Sequence, residues 1–397
     1  MELIHLPPQA LRLGQVLDYS IYDAEGKLLL ARGQVLRNSP LGQTLMLQGG
    51  WVQPHETKDY QRAVAHQADT LMHQGATLGA IANARPAGFR AERDSKPTVS
   101  NLAAWADLQL RAHALLREPR AEDFLQRFDL VLQELQTRLL NQSDETLLLL
   151  IFEAGQGFEH YSARHGLLTL ALADQCARQL GWADDLRQVL AQAALSMNIA
   201  ISTLQDRLAS QSDKPGEMHR RELAAHGDRG AELLRALGVQ DSLWLQVVRL
   251  HHEAGPGPLS SRSMPDQMAR VLCRADIYGA RLSPRRSRKA LSAAAAARAV
   301  YLDELGQPDE VGAALIKAIG LYPPGSLVRL ASGEVGIVHK RGHSANEPVV
   351  ASLLGKSGAP WSEPVTRDTR LAAQAISASL APHELKLHVN LGKLVRP

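Results

Sequence analysis

The chain has 397 residues, which at roughly 100–200 residues per domain is room for two or three domains. Its formal charge is only +3, from 44 Lys and Arg against 41 Asp and Glu, which argues against a nucleic-acid binder with its dense basic face. Hydrophobic residues make up 45% and aromatic residues 4%, so the chain is neither disordered by composition nor rich in stacking platforms for bases or sugars. Fifteen histidines exceed what packing alone needs.

The start, Met1-Glu2-Leu3-Ile4-His5-Leu6, has no basic region and no long apolar core, so no secretory signal is expected. Residues 1–60 read as a small β module. Val16 to Tyr22 and Leu28 to Ala31 flank the turn Asp23-Ala24-Glu25-Gly26, and Val35 and Val52 lie in further short apolar stretches. Residues 61–101 read as a linker, richest in Ala, Gly, Arg, Pro and Ser from about 75 onward. From Leu102 the apolar residues recur at helical spacing, and 102–155 is expected to pack on the bundle that follows; its leucine stripe suits a core or a homodimer seam. Further helices are expected at about 164–180, 184–198, 216–236, 241–254, 265–281, 288–304 and 308–319, within a bundle spanning 156–320. Gly181 and Gly320 stop helices, and Asp241 or Ser242 opens one. Residues 321–397 switch to period two, with a hairpin of Leu327-Val328-Arg329-Leu330 and Val335-Gly336-Ile337-Val338 around Ser332-Gly333-Glu334. Cys176 and Cys273 form no CxxC pair and read as two buried small hydrophobes of a reduced, cytoplasmic chain. The longest apolar run, Leu147 to Phe152, is far short of the ~20 residues of a spanning helix.

Within the bundle lie His165, His226, His251, His252 and Asp276, residue types that ligate Zn, Mn or Fe. Their setting resembles the HD-GYP branch of the HD-domain metal-dependent phosphohydrolases, the bacterial cyclic di-GMP phosphodiesterases. The family's opening His-Ser-x-x-Val-type segment is matched by His165-Gly166-Leu167-Leu168-Thr169, and its His-Pro-x-x-Gly by His226-Gly227-Asp228-Arg229-Gly230. The His-His-Glu triplet stands as His251-His252-Glu253, and Ala275-Asp276-Ile277-Tyr278-Gly279-Ala280 resembles Ala-Asp-x-Tyr-Asp-Ala. The basic Ser283-Pro284-Arg285-Arg286-Ser287-Arg288 and the closing Tyr322-Pro323-Pro324-Gly325 are similar to how such domains continue and end. The implied fold is mainly α, an HD-domain all-helical bundle flanked by a small N-terminal β module and a C-terminal β-hairpin region.

The same resemblance exposes departures. Where the family reads Leu-x-His-Asp-Ile-Gly-Lys, this chain reads Leu195-Ser196-Met197-Asn198-Ile199-Ala200-Ile201. Met197 therefore stands in place of a His ligand, Asn198 in place of the bridging Asp, and Ile201 in place of a phosphate-facing Lys. The Gly-Tyr-Pro loop is replaced by Ala254-Gly255-Pro256-Gly257-Pro258. A bridging carboxylate holds two cations together for hydroxide generation and leaving-group stabilisation. A neutral Asn is a poor bridge, and a Met thioether suits softer metals, so no standard binuclear centre is expected. His226, His251 and His252 serve one metal in the family and could still hold a single Zn, Mn or Fe, or stand as relics without any metal; His165 and Asp276, which would have served the other metal, are either structural now or further metal ligands. Arg285 and Arg288 are either phosphate anchors or the solvated start of the following helix. Two readings follow. One is a degenerate, catalytically impaired domain in cyclic di-GMP-linked signalling, a sensor or interaction module whose partner is a cyclic dinucleotide or a signalling protein, with no nucleic acid and no membrane. The other is an active metal-dependent phosphohydrolase with a reduced metal site.

Overall fold

The computed structural model describes residues 3–6, 11, 14, 17, 19–31, 34–36, 39–53, 101–253 and 255–395. It divides into two compact units, Met1–Thr98 and Val99–Pro397.

The first unit holds a four-stranded antiparallel sheet of β1 (Ile4–Leu6), β2 (Ile21–Tyr22), β3 (Leu28–Leu30) and β4 (Gly50–Val52), in the order β1-β4-β2-β3. The expected turn forms because the Asp23 carboxylate accepts from the backbone N–H groups of Glu25 and Lys27, and Gly26 takes φ +85. Val16 lies outside the described residues, as does most of the expected linker. A helix absent from the sequence reading, α1 (Pro40–Gln48), starts where the Ser39 hydroxyl accepts from Gly42 N–H. Leu11, Leu17, Tyr19, Ile21, Leu36, Leu45 and Val52 form the buried core of this unit.

In the second unit the helices run α2 (Asn101–Arg117), α3 (Phe124–Asn141), α4 (Ser143–Ala154), α5 (Tyr161–Gln179), α6 (Asp184–Ser196), α7 (Ser202–Ser210), α8 (Glu217–Ala224), α9 (His226–Ala236), α10 (Ser242–Leu250), α11 (Met264–Leu282), α12 (Ala293–Tyr301) and α13 (Glu310–Ile319). α5 is the axis: from Tyr161 to Ala177 every residue but Arg164 is buried, against α4, α6, α11 and α13. A helix that is apolar nearly all round must be enclosed on all sides. Where α6 crosses it, Gly166 lets the backbones approach, since a Cβ there would stand 3.3 Å from the Leu195 carbonyl oxygen. Trp244 of α10 donates its indole N–H to Ser196 Oγ at 2.8 Å, and the Asp241 carboxylate caps α10 through Leu243 and Trp244 N–H. Arg270 and Arg274 are buried and share the carboxylates of Asp309 and Glu304.

Three boundaries differ from the sequence reading. The single helix expected over 216–236 is two, interrupted at Ala225, so that His226 opens α9. α7 was not expected. The helix expected from 288 begins only at Ala293, so Arg285 and Arg288 lie in a loop and not on a helix start; the backbone there is folded into an Arg285–Arg288 bridge that no helix could contain.

The expected hairpin is β5 (Leu327–Leu330) with β6 (Val335–Lys340), in register Leu327 with Ile337. Gly333 takes φ +86 at the turn. With β7 (Val349–Leu354), β8 (Pro360–Asp368) and β9 (Ile376–Leu380) it makes an antiparallel sheet in the order β8-β7-β6-β5-β9. This sheet shares the helical core: Leu327, Ile337, Leu353 and Leu380 belong to the same buried cluster as the residues of α5. Arg341 adds a polar tie, donating to Asp144 and Ser143 of α4, Gln175 of α5 and the Ala318 carbonyl of α13.

Candidate metal centre

α9 and α10 meet at their backbones. A Cβ on Gly227 would fall 2.6 Å from the Arg249 carbonyl oxygen, and one on Gly230 would meet Val248 at 3.3 Å. At residue 227 only glycine allows that approach, and it carries His226, at the head of α9, to the end of α10, where His251 and His252 follow Leu250 directly. The ligand nitrogens of the three imidazoles all lie within 4.8 Å of one another. His226 and His251 are buried and His252 is exposed, so the group opens to solvent on one side.

The hydrogen bonds fix the tautomers. His251 Nδ1 sits 2.6 Å from the Val248 carbonyl oxygen, and His226 Nδ1 contacts that of Leu223. A carbonyl only accepts, so both rings carry their proton on Nδ1. The two Nε2 atoms, 3.0 Å apart, then face each other with lone pairs, a repulsive contact unless a cation or proton lies between them. Two nitrogens on one tetrahedral zinc at about 2.0–2.1 Å stand about 3.3 Å apart, and backbone bonds to the remote ring nitrogen are the usual support of a ligating imidazole. Burial, and then the neighbouring His252 and His226, push His251 down to about 3. Burial likewise lowers His226. Both are therefore neutral near pH 7, the form a metal requires. The residues fit a single metal ion.

His165 and Asp276 form a pair of their own, outside that group, with Nε2 to Oδ1 at 2.6 Å. Burial pushes the Asp276 carboxyl up, but the hydrogen bond and charge of His165, with smaller contributions from His252 and His251, outweigh it and hold it well below the usual carboxylate range. Tyr161 stacks on His165 with ring centroids 5.7 Å apart, and Arg285 donates to the Tyr161 hydroxyl from Nε at 3.3 Å and from a terminal nitrogen at 3.2 Å. The sequence reading missed Tyr161; the available signal was an aromatic residue one helical turn before His165. Arg288 turns inward and donates to the carbonyls of Ala280 and Ser283 at the end of α11.

At the positions of the family's dyad the environment is apolar. Met197 is fully buried in the main core. Ile201 is buried with Leu204 and Leu208, with Leu223 against them. Asn198 is half-buried, and its backbone carbonyl accepts from Ile201 N–H and the Ser202 hydroxyl.

The order of these segments and the triad of histidines resemble those of an HD-GYP-type domain. No family model matches the chain, but over 200 residues it is 30% identical to a protein of Pseudomonas aeruginosa described as "Cyclic di-GMP phosphodiesterase PA4108", covering 48% of each sequence. The chain thus spans about half the length of that curated relative. Bd1817, a HDG"Y"P protein from Bdellovibrio bacteriovorus, overlaps 79% of this chain and 98% of its own at 16% identity, with a TM-score of 0.44, too low to define a common fold by itself.

Proposed function

We propose that this protein is a catalytically impaired HD-GYP-type module of the cytoplasm. It acts in cyclic di-GMP-linked signalling as a sensor or interaction module, its partner a cyclic dinucleotide or another signalling protein. The observation that carries this reading is the replacement of both dyad residues and the nearby lysine by Met197, Asn198 and Ile201, two of them buried among apolar side chains. No carboxylate stands there to bridge two cations, and without a bridge their mutual repulsion goes unscreened. His226, His251 and His252 would hold one divalent metal, Zn, Mn or Fe, with His252 on the open side; when bound, such an ion supplies Lewis-acid polarisation of a phosphoryl oxygen. The residues themselves keep two imidazoles neutral and oriented, exclude water from two of the three rings, and hold a proton on each buried Nδ1.

The second reading, an active phosphohydrolase with this reduced site, is favoured by the geometry of the triad itself. A pure scaffold has no use for two lone pairs 3.0 Å apart. One experiment separates the two. The purified chain is incubated with cyclic di-GMP, linear pGpG and a generic phosphodiester under Mn, Fe(II) and Zn, with metal content measured in parallel. Metal without turnover, or nucleotide binding without turnover, is expected. Turnover that vanishes in His252→Ala overturns the impaired reading. The double change Met197→His with Asn198→Asp is expected to raise bound metal from about one toward about two per chain, as a restored bridge should.

A further inference from the structure

The head of α5 is capped from outside the helix. His160, which precedes it, takes φ 50 and ψ 36, the only positive φ among the described residues other than glycine, and its side chain makes no capping bond. Such a left-handed backbone persists only where its surroundings enforce it. The cap comes instead from α7, whose Asp206 carboxylate accepts from Ser162 N–H through Oδ1 at 2.7 Å. α2 closes a third side, packed against both α5 and α7, and brings His113 against His160 with ring centroids 4.1 Å apart.

His113 Nδ1 lies 3.8 Å from Asp206 Oδ2, within ion-pair reach but too far for a hydrogen bond. Both atoms are buried, and neither has a hydrogen-bond partner among the described residues. The charged and titratable groups that act on His113 are His160, Asp206, and Arg117 and Glu118 at the end of its own helix; α3, which also packs on α2, supplies none of them. Glu153 of α4 meets α2 one and two turns earlier, at Gln109 and Trp105. A proton on the His113 ring adds a cation beside His160 and Arg117 in a site shielded from water. Burial first, and then His160, outweigh the attraction of Asp206 and lower the His113 pKa from the ordinary 6.5.

We propose that His113 is an acid-sensitive latch, its neutral imidazole seating α2 on the head of α5 and its protonation releasing that helix. The folded chain binds this proton less readily than the unfolded one, so the stabilisation is present in full above 6.5 and is lost as pH falls from there through the lowered folded value. The strain at His160 localises the response: with α2 lifted, one of the elements that enforce its left-handed backbone is gone. The latch uses none of His226, His251 and His252 and does not depend on the metal reading.

Amide hydrogen exchange of the full chain, followed segment by segment at about pH 7.5 and about pH 5.5 and corrected for intrinsic rates, tests it. Protection of α2 is expected to fall on acidification by about threefold or more relative to α6. His113→Gln, neutral at both pH values, should remove that fall. Glu153 is present in both chains, so its own titration cancels in the comparison. His160→Asn keeps a residue that tolerates the left-handed backbone while removing the neighbouring imidazole; it should reduce the fall, and serves as the readout if His113→Gln misfolds. In the wild type the His113 ring, followed by NMR, should titrate below 6.5. A fall in α2 no larger than that in α6, an equal fall in the wild type and either variant, or a ring that titrates at or above 6.5 overturns the proposal.

Discussion

Gly227→Ala tests whether backbone contact between α9 and α10 builds the histidine group. The added methyl would lie 2.6 Å from the Arg249 carbonyl oxygen, about 0.8 Å inside the 3.4 Å at which ordinary contact begins. The obstacle is backbone on both sides, so no side chain can swing away and the helices must separate. Overpacking of this kind costs about 1–3 kcal/mol. Because His226 precedes residue 227 and His251 follows Arg249 by two, the same displacement pulls the two Nε2 atoms apart from 3.0 Å. A metal site tolerates only about ±0.2 Å in its bonds, so affinity for zinc is expected to fall by at least about tenfold, the lower end of what disturbed ligand support produces. Gly230→Ala is the internal comparison. Its methyl would meet the tip of Val248 at 3.3 Å, which a side chain can accommodate, and both effects should be much smaller. Chemical denaturation and zinc titration against a competing chelator measure them. If Gly227→Ala is as stable as the wild type and holds zinc equally well, the close approach of α9 and α10 is not what assembles the group.

Other outcomes follow from the same structure. Chelation of a metal-loaded chain should lower its melting temperature, and His251→Ala should abolish that difference, because a ligand bound only to the folded state stabilises it by mass action. Glu153 is mostly buried, accepting from the Trp105 indole at 2.7 Å and from Gln109, and burial raises its carboxyl above the ordinary 4.5. A raised folded-state pKa means that its protonation favours folding, an advantage present in full below about 4.5 and lost as pH rises through the folded value. Relative to Glu153→Gln, the wild type should therefore gain stability as pH falls through that window, and a pH-independent difference in denaturation midpoints would contradict it. Asp309→Ala should cost about 3–5 kcal/mol, since it leaves buried Arg270 and Arg274 with only half-exposed Glu304 as an acidic partner among the described residues; urea denaturation reads this directly. Arg341→Ala should loosen the C-terminal sheet from α4 and α13, seen as faster amide exchange in β6 than in α5.

Periodicity made the helices of 102–320 and the hairpin at 327–338 legible, since burying one face of an element imposes a repeat on its sequence. The intact His251-His252-Glu253 and the altered Met197-Asn198 were equally plain, because both lie in single short segments. Short or interrupted elements were not: α7 and α1 lack a long enough pattern, and the break at Ala225 is an ordinary alanine with no stop signal. What only the tertiary structure decided was which of the candidate residues meet. His226 reaches His251 because two glycine-bearing helices touch, whereas His165 and Asp276, equally suitable as ligands by type, pair with each other instead. Arg288, a phosphate anchor or a solvated cation by sequence, donates from one terminal nitrogen to carbonyls at the end of α11, a use set by how the chain turns after that helix. Residue type and local spacing are written in the chain itself, but coordination, pairing and the direction of a long side chain depend on segments tens of residues apart being brought within a few ångströms by the core they share.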